Sequence, residues 1–421
     1  MTFTSYPIIL YLTFFSLPLV ATLKGKGTVV LVCLLLIVHG KTLWTHRYQA
    51  FKDLVLRVKN PVGLCAVSFA AWCFLSTLWA PDMGKAFLDA ARYLILIVAG
   101  LLVYGGVQHE TASRKQIFFK AFYGGFLFYA VFFLVEIYIF PIATKLYING
   151  AYFSKTLFIK GFVNFCFLFW PFLLILLQKN SKIASWKVIL IPSFILMAVL
   201  LKTGPHAALF GILLGTMGAL SINRFPKAPY VAAFLFTLFS LSTPWLFTKI
   251  VNQKTLGDNF HYIAGSYQHR LLMWERLGEE TLKNPLIGQG FEASTTFPKG
   301  DIVRIIVKKP IFDFSSRQVT SIIANDGIDN IFSTHPHNGI VQIWVDMGFI
   351  GIILILSVLW AVTHAITRIQ SPLERSCLFG FLLFYEVIHL VGFGLWQKWI
   401  GASIILSLLC FSVVKNRQCW V

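Results

Sequence analysis

Charge is scarce in this 421-residue chain: only 13% of residues are Asp, Glu, Lys or Arg, about half the share of a soluble domain. Acidic side chains are scarcest, 17 against 36 basic ones, which leaves a net charge of +19. With 57% hydrophobic residues and a mean hydropathy of +0.73, these shortages exclude a soluble globular enzyme and a disordered chain. No Cys-x-x-Cys spacing occurs among the seven cysteines, which argues against a zinc site or a disulfide framework. Cys33, Cys65, Cys73, Cys166, Cys377 and Cys410 lie in apolar runs and Cys419 in the C-terminal tail, where they read as small apolar side chains. There is no P-loop, dinucleotide fingerprint, nucleophile elbow or His-Glu-x-x-His. No Asp-x-Asp pair stands ready to hold the metal of a nucleotide sugar, so neither metal nor cofactor is expected. Internal repeats are also missing. The first apolar run has no basic residue before it and no small-residue cleavage site after it, so it reads as a retained helix.

What the chain has instead is apolar runs of about 20 residues, repeated along most of its length. They are continuously apolar, whereas a transmembrane β-barrel would alternate. The expected fold is an all-α polytopic membrane protein with about twelve transmembrane helices. The spans fall near 7–22, 27–40, 61–80, 86–107, 117–140, 157–177, 187–202, 205–222, 229–247, 338–361, 377–395 and 398–414. Only Thr203 and Gly204 precede Pro205 between the seventh and eighth, which predicts a tight helical hairpin. Lys and Arg cluster in the short connections, an orientation signal and not a nucleic-acid surface. One set of connections holds sixteen of them and the alternate set seven, which places both termini inside. The domains then read as helices 1–9 over 1–247, a large outer loop over 248–336, and helices 10–12 over 337–421.

The outer loop carries nine of the seventeen acidic residues. Its first part predicts a helix with Ser266 near its start, a Leu271-Trp274-Leu277 stripe able to lie on the bundle or the membrane surface, and a stop at Asn284-Pro285. Gly288-Gln289-Gly290 predicts a turn, and 302–323 has β-branched runs suited to a hairpin. The loop re-enters the membrane at His335-Pro336-His337-Asn338-Gly339. Pro336 suits a helix start, which would set His337 and Asn338 on top of the tenth span. An imidazole there can take a proton from a hydroxyl near neutral pH, and the helix N-terminus favours an anion beside it. The simpler alternative is an interfacial His-Asn cap. Gly348 and Gly351, deeper in the span, predict close approach to a neighbouring helix. Asp346 is expected to partner an Arg or His inside the bundle. Glu386 and His389 read as a buried hydrogen-bonded pair or as a contact to substrate or protons.

His337-Asn338, nine residues, Gly348, two residues and Gly351 together resemble the signature of the O-antigen ligase and polymerase superfamily of bacterial membrane glycosyltransferases. Leu75-Ser76-Thr77-Leu78-Trp79-Ala80-Pro81-Asp82 followed by Arg92 is similar to its early-span stretch. Arg270, Trp274 and Pro285-Leu286-Ile287-Gly288-Gln289-Gly290 are similar to a stretch of its large outer loop. Thr203-Gly204-Pro205-His206-Ala207-Ala208 departs from the family, with His206 where an Arg is common. The resemblance implies a metal-independent, inverting ligase of the bacterial inner membrane, with its large loop in the periplasm. It would move a glycan from an undecaprenyl diphosphate carrier to lipid A–core, with membrane lipid as a further partner and no nucleic acid. His337 would be the general base and Asn338 its orienting neighbour. Arg270 would hold the diphosphate with a fork that matches phosphate geometry, and Arg92, Lys202, His206 and His335 would be substrate contacts. Two other members of the superfamily fit the same residues: a polymerase joining lipid-linked repeats and an enzyme that glycosylates protein. A transporter using Glu386, His389 and Asp346 as a proton path is the alternative from another class.

Overall fold

The computed structural model describes residues 11–13, 15–16, 27–139, 155–179, 185–263, 265–296 and 336–415, and no strand occurs among them. The helices are α1 (Gly27–Thr45), α2 (Arg47–Val58), α3 (Pro61–Ser76), α4 (Met83–Gln108), α5 (Ala112–Tyr138), α6 (Lys155–Lys179), α7 (Ser185–Thr203), α8 (His206–Ser221), α9 (Ala228–Trp245), α10 (Gly265–Lys283), α11 (Gly339–Thr367), α12 (Pro372–Val391) and α13 (Lys398–Lys415). Local chemistry sets several starts. The side chains of Asn60, Asp82, Thr111 and Ser371 each accept a backbone N–H of the first turn, and Pro61 and Pro372 occupy the position where a missing N–H costs nothing. Among the described residues eight helices are long and apolar enough to cross a membrane, and α8 and α13 are shorter apolar helices. The protein is a multi-pass helical membrane protein. The predicted run 7–22 falls almost entirely outside the described residues, and the hairpin expected at 302–323 does so completely.

One helix was not anticipated. α2 alternates Arg47, Lys52 and Arg57 with Tyr48, Phe51 and Leu56, and none of its residues is buried. That composition suits a helix lying along a membrane surface.

The centre of the bundle is α6, whose residues from Phe162 to Ile175 are buried without interruption. It packs on α5, α7, α12 and α13. Phe126 of α5 stacks between Phe165 and Phe172 of α6, at 4.3 and 4.1 Å between ring centroids. α8 and α12 approach backbone to backbone. A Cβ on Gly215 would stand 2.6 Å from the Gly380 carbonyl oxygen, so only glycine fits there. This packing sets the start of α8 beside the end of α12, where Ala207 reaches Gly392. The tight turn predicted at Thr203-Gly204-Pro205 is present, with Gly204 at φ +94°.

At the far end of α4 lies a buried polar knot. Glu110 accepts from Thr42 Oγ1 at 2.7 Å and His39 Nδ1 at 3.0 Å on one oxygen, and from Arg114 Nη1 at 2.9 Å on the other. Burial pushes its carboxyl up, but the hydrogen bonds from His39, Arg114 and Thr42 win and hold it at about 2.

Candidate active site

The re-entry point is built differently from the expectation. The helix starts at Gly339, not at Pro336. Asn338 is its N-cap: Oδ1 accepts from Ile340 N at 2.9 Å and Val341 N at 3.1 Å. His337 stands just outside with φ +55°, a left-handed conformation that costs a non-glycine residue about 1 kcal/mol or more. The backbone on both sides holds it there. The cap fixes the residue after it, and Trp274 Nε1 donates to the Pro336 carbonyl before it at 2.7 Å.

The outer-loop helix α10 supplies that tryptophan. Its Met273, Trp274 and Leu277 are buried and pack with Val341, Val345 and Phe247, so the predicted apolar stripe lies on the bundle. Trp274 and Arg270 are one turn apart on the same face. The anchor they reach is the C-terminal end of α12, where helix carbonyls lack intrahelical partners and carry partial negative charge. Arg270 Nη1 donates to Val391 O at 2.8 Å, and His337 Nδ1 donates to Gly392 O at 2.9 Å. Adjacent carbonyls thus bring the imidazole and the guanidinium together. With Nδ1 donating, the lone pair of the neutral ring is on Nε2. Burial, with a smaller part from the positive charge of Arg270, holds the imidazole below its ordinary value, against the opposing pull of the Gly392 carbonyl. His337 is therefore neutral at neutral pH.

Gly348 does not support helix–helix packing as expected. It sits at φ +64° and breaks α11. The loop after α10 fills the break. Gln289 N donates to Val345 O at 2.7 Å and Gly290 N to Asp346 O at 2.8 Å, while Phe349 N and Ile350 N donate to Pro285 O and Leu286 O at 2.8 and 3.2 Å. Trp72 Nε1 takes the Met347 carbonyl at 3.2 Å. Every backbone group exposed by the break at these positions is paired, as a buried break requires. A Cβ on Gly348 would stand 2.5 Å from the Gly288 nitrogen and the Leu286 carbonyl, and a Cβ on Gly290 would strike Ala80. The Pro-Leu-x-Gly-x-Gly stretch, the deep glycine and the early 75–82 stretch are one interlocked construction.

Among the described residues Asp346 pairs with no Arg or His. It accepts from Ser294 N at 2.8 Å and Trp396 Nε1 at 2.7 Å. Gln342, one turn nearer His337, accepts from Leu395 N at 2.8 Å. Both side chains pin the 392–397 connector that presents the Gly392 carbonyl. Glu386 and His389 form no hydrogen bond with each other; His389 Nδ1 donates to the Tyr385 carbonyl of its own helix at 2.9 Å.

The remaining candidates divide. His206 opens α8 beside Ala207, which touches Gly392, so it shares this end of the bundle with His337. Lys202 is drawn aside, its ammonium 4.2 Å from the Tyr138 ring centroid. Arg92 is an exposed i,i+3 partner of Asp89 at 3.0 Å, and Asp89 also holds Lys398. His335 lies outside the described residues. Sequence reasoning missed Glu292, at φ +58° directly after Gly290-Phe291. Burial, then Asp89 and Asp346, push its carboxyl up to about 7 against the pull of Lys85 and Lys398. Among the described residues no three His, Cys, Asp or Glu side chains are placed to hold a metal ion.

The fold and the site define a multi-pass helical membrane protein that brings a histidine and a guanidinium together at one end of its bundle, and comparison with known proteins narrows the class. Residues 159–356 match the family model described as "O-Antigen ligase". Relatives named "Putative polysaccharide ligase" include one from Rickettsia conorii, 23% identical over 82% of this chain and 78% of its own length. Another, from Rickettsia bellii, is 25% identical over 82% and 79%, and one from Rickettsia felis is 24% identical over 95% of each chain. These likenesses support a place for the chain in the O-antigen ligase superfamily.

Proposed function

We propose that the protein is an O-antigen ligase of the inner membrane, with both termini in the cytoplasm and region 248–336 in the periplasm. It moves a glycan from undecaprenyl diphosphate to a sugar hydroxyl of lipid A–core. The observation that carries this reading is the convergence of His337 and Arg270 on the adjacent Gly392 and Val391 carbonyls. In the reaction, His337 Nε2 takes the proton of the acceptor hydroxyl. The hydroxyl oxygen attacks the anomeric carbon, and the bond to the diphosphate breaks with its electron pair leaving on the lipid diphosphate. Attack opposite the leaving group inverts the anomeric centre. Arg270 meets the charge that develops on the leaving oxygen, an interaction stronger in the transition state than before it. His206 lies where it can contact the same diphosphate. Asn338 acts by holding the strained His337 in place. Arg92 and Lys202 stand at the edges and contribute to substrate capture. No step calls for a metal, so transfer should survive a chelator.

Lipopolysaccharide gels of a deletion strain complemented with each variant test the reading. His337→Ala and Arg270→Ala should leave lipid A–core without O-chains while the protein stays inserted. Wild-type capping in both variants would remove the site assignment. A polymerase would instead leave single-repeat capping in the deletion strain, and a transporter would move substrate in vesicles without a covalent product.

A further inference from the structure

The helix α2 has no part in the mechanism above and stands at the other end of the bundle, beside the Glu110 knot. One of its faces is used against α4. Asp53, its only acidic residue, accepts from Gln49 Nε2 at 3.1 Å on one oxygen and meets His109 Nε2 at 3.1 Å on the other. His46, just before the helix, stacks on the His109 ring at 5.3 Å between centroids. The Arg57 guanidinium lies 4.3 Å from the Tyr104 ring centroid, and a Cβ on Gly105 would touch Ala50. These contacts dock α2 on the end of α4 and fix its rotation about its own axis.

The face turned away carries different chemistry. Tyr48, Phe51 and Val55 recur at i, i+3 and i+7, so they form one stripe. Tyr48 is 79% exposed and Phe51 64%. Lys52 and Lys59 stand four residues after Tyr48 and Val55, along the edge of that stripe, and both are exposed. Among the described residues no carboxylate pairs with either lysine, and the one acid of the helix is held on its α4 side by His109. Aromatic rings beside lysines suit the boundary between hydrocarbon and head groups, where the rings take the apolar side and the flexible lysine stems carry their charge out to phosphate. A zwitterionic head group brings its own ammonium and gains little from two more. An anionic one lacks that partner, and the lysines supply it.

We infer that the outward face of α2 is a docking surface for anionic phospholipid, with Tyr48 and Phe51 seated at the head-group boundary and Lys52 and Lys59 on the lipid phosphates. The helix leads through Asn60 directly into α3, and α3 carries Trp72 to the Met347 carbonyl in the break of α11. Lipid held at α2 therefore anchors one end of a helix whose other end supports the site. The inference does not depend on the chemistry assigned to His337.

The test uses full-length protein in phosphatidylcholine nanodiscs with a trace of photoreactive phosphatidylglycerol, and crosslinks are mapped by mass spectrometry. The wild type should be labelled within 47–59, and unlabelled phosphatidylglycerol should compete where phosphatidylcholine does not. Lys52→Gln combined with Lys59→Gln should cut the preference for phosphatidylglycerol about thirtyfold, about fivefold for each lysine. Lys52→Arg with Lys59→Arg should keep it. Equal labelling by a photoreactive phosphatidylcholine, or a preference that survives the Gln pair, would overturn the proposal. So would a loss in the Arg pair as large as in the Gln pair. A second arm needs no variant: raising the salt concentration should weaken the preference of the wild type, and a preference indifferent to salt would overturn the charge argument. Lysine crosslinks from α2 to a second copy of the chain, in place of lipid labelling, would show that a protein face covers it and would also overturn the proposal.

Discussion

Two histidine–arginine clusters occupy opposite ends of this bundle, and their electrostatics are opposite too. At the far end of α4, His39 and Arg114 close on Glu110, so positive groups meet a buried carboxylate and every oxygen is paired. At the other end, His337 shares its anchor with the cationic Arg270 on the adjacent Gly392 and Val391 carbonyls, and its backbone is held left-handed. The first arrangement lowers the energy of the fold. The second raises it, and such strain and like charge persist in a folded protein where a ligand is to be met. Two clusters of similar composition are thus told apart by the sign of what surrounds them.

The contrast is broken most directly by exchanging stability for activity. His337→Gly should lower transfer roughly 10²–10⁴-fold, the usual worth of a positioned proton acceptor. Its thermal midpoint should hold or rise, since glycine adopts φ +55° without penalty. Glu110→Ala should do the reverse. It leaves His39 and Arg114 without their carboxylate and costs about 3 kcal/mol in unfolding experiments, with transfer per folded molecule unchanged. If both variants lost only stability, the distinction between the two ends would be wrong. Trp274→Phe keeps the packing against Phe247 but removes the hydrogen bond to Pro336, so kcat should fall about tenfold with both KM values unchanged. A matching rise in KM would make Trp274 a binding residue and not a positioning one.

The pH response sharpens the same comparison with the smallest perturbation. His337 must be neutral to act, and its pKa is lowered from 6.5, so the acid limb of the transfer rate should fall below pH 6.5. Glu110 is held down from 4.5 to about 2, so its stabilisation is complete above pH 4.5 and is lost as pH falls toward 2. Activity should therefore decline on acidification before the Glu110 knot releases. Simultaneous loss of rate and fold in one transition would contradict the assignment of two separate groups.

Much of this was legible in the chain, and the reasons for the misses are specific. Runs such as 27–40 and 86–107 are long and continuously apolar, so hydropathy suffices to find them. α2 was passed over because its apolar residues are interleaved with Arg47, Lys52 and Arg57 in what looked like a basic connection. The motif residues were recognised, but their physical work was misread at Gly348. A glycine in an apolar run reads as a packing position, and nothing local reveals that a loop some 60 residues earlier supplies the hydrogen bonds for a broken helix. Asp346 was given a charged partner for the same reason: an indole and a backbone N–H are invisible at that sequence distance.

By itself the sequence determined that the chain lives in a membrane, roughly where its helices lie, and which few polar residues bear the family's marks. Those follow from local composition and spacing, because burying a backbone in lipid leaves helices as the economical solution. Only the tertiary structure decided which polar residues meet. Val391 and Gly392 offer orphaned carbonyls at one helix end, and α8, α10 and the start of α11 converge there. That convergence selects His337 and Arg270 as neighbours and leaves Arg92 and Lys202 to other partners, because contact between distant segments is set by packing and not by order along the chain.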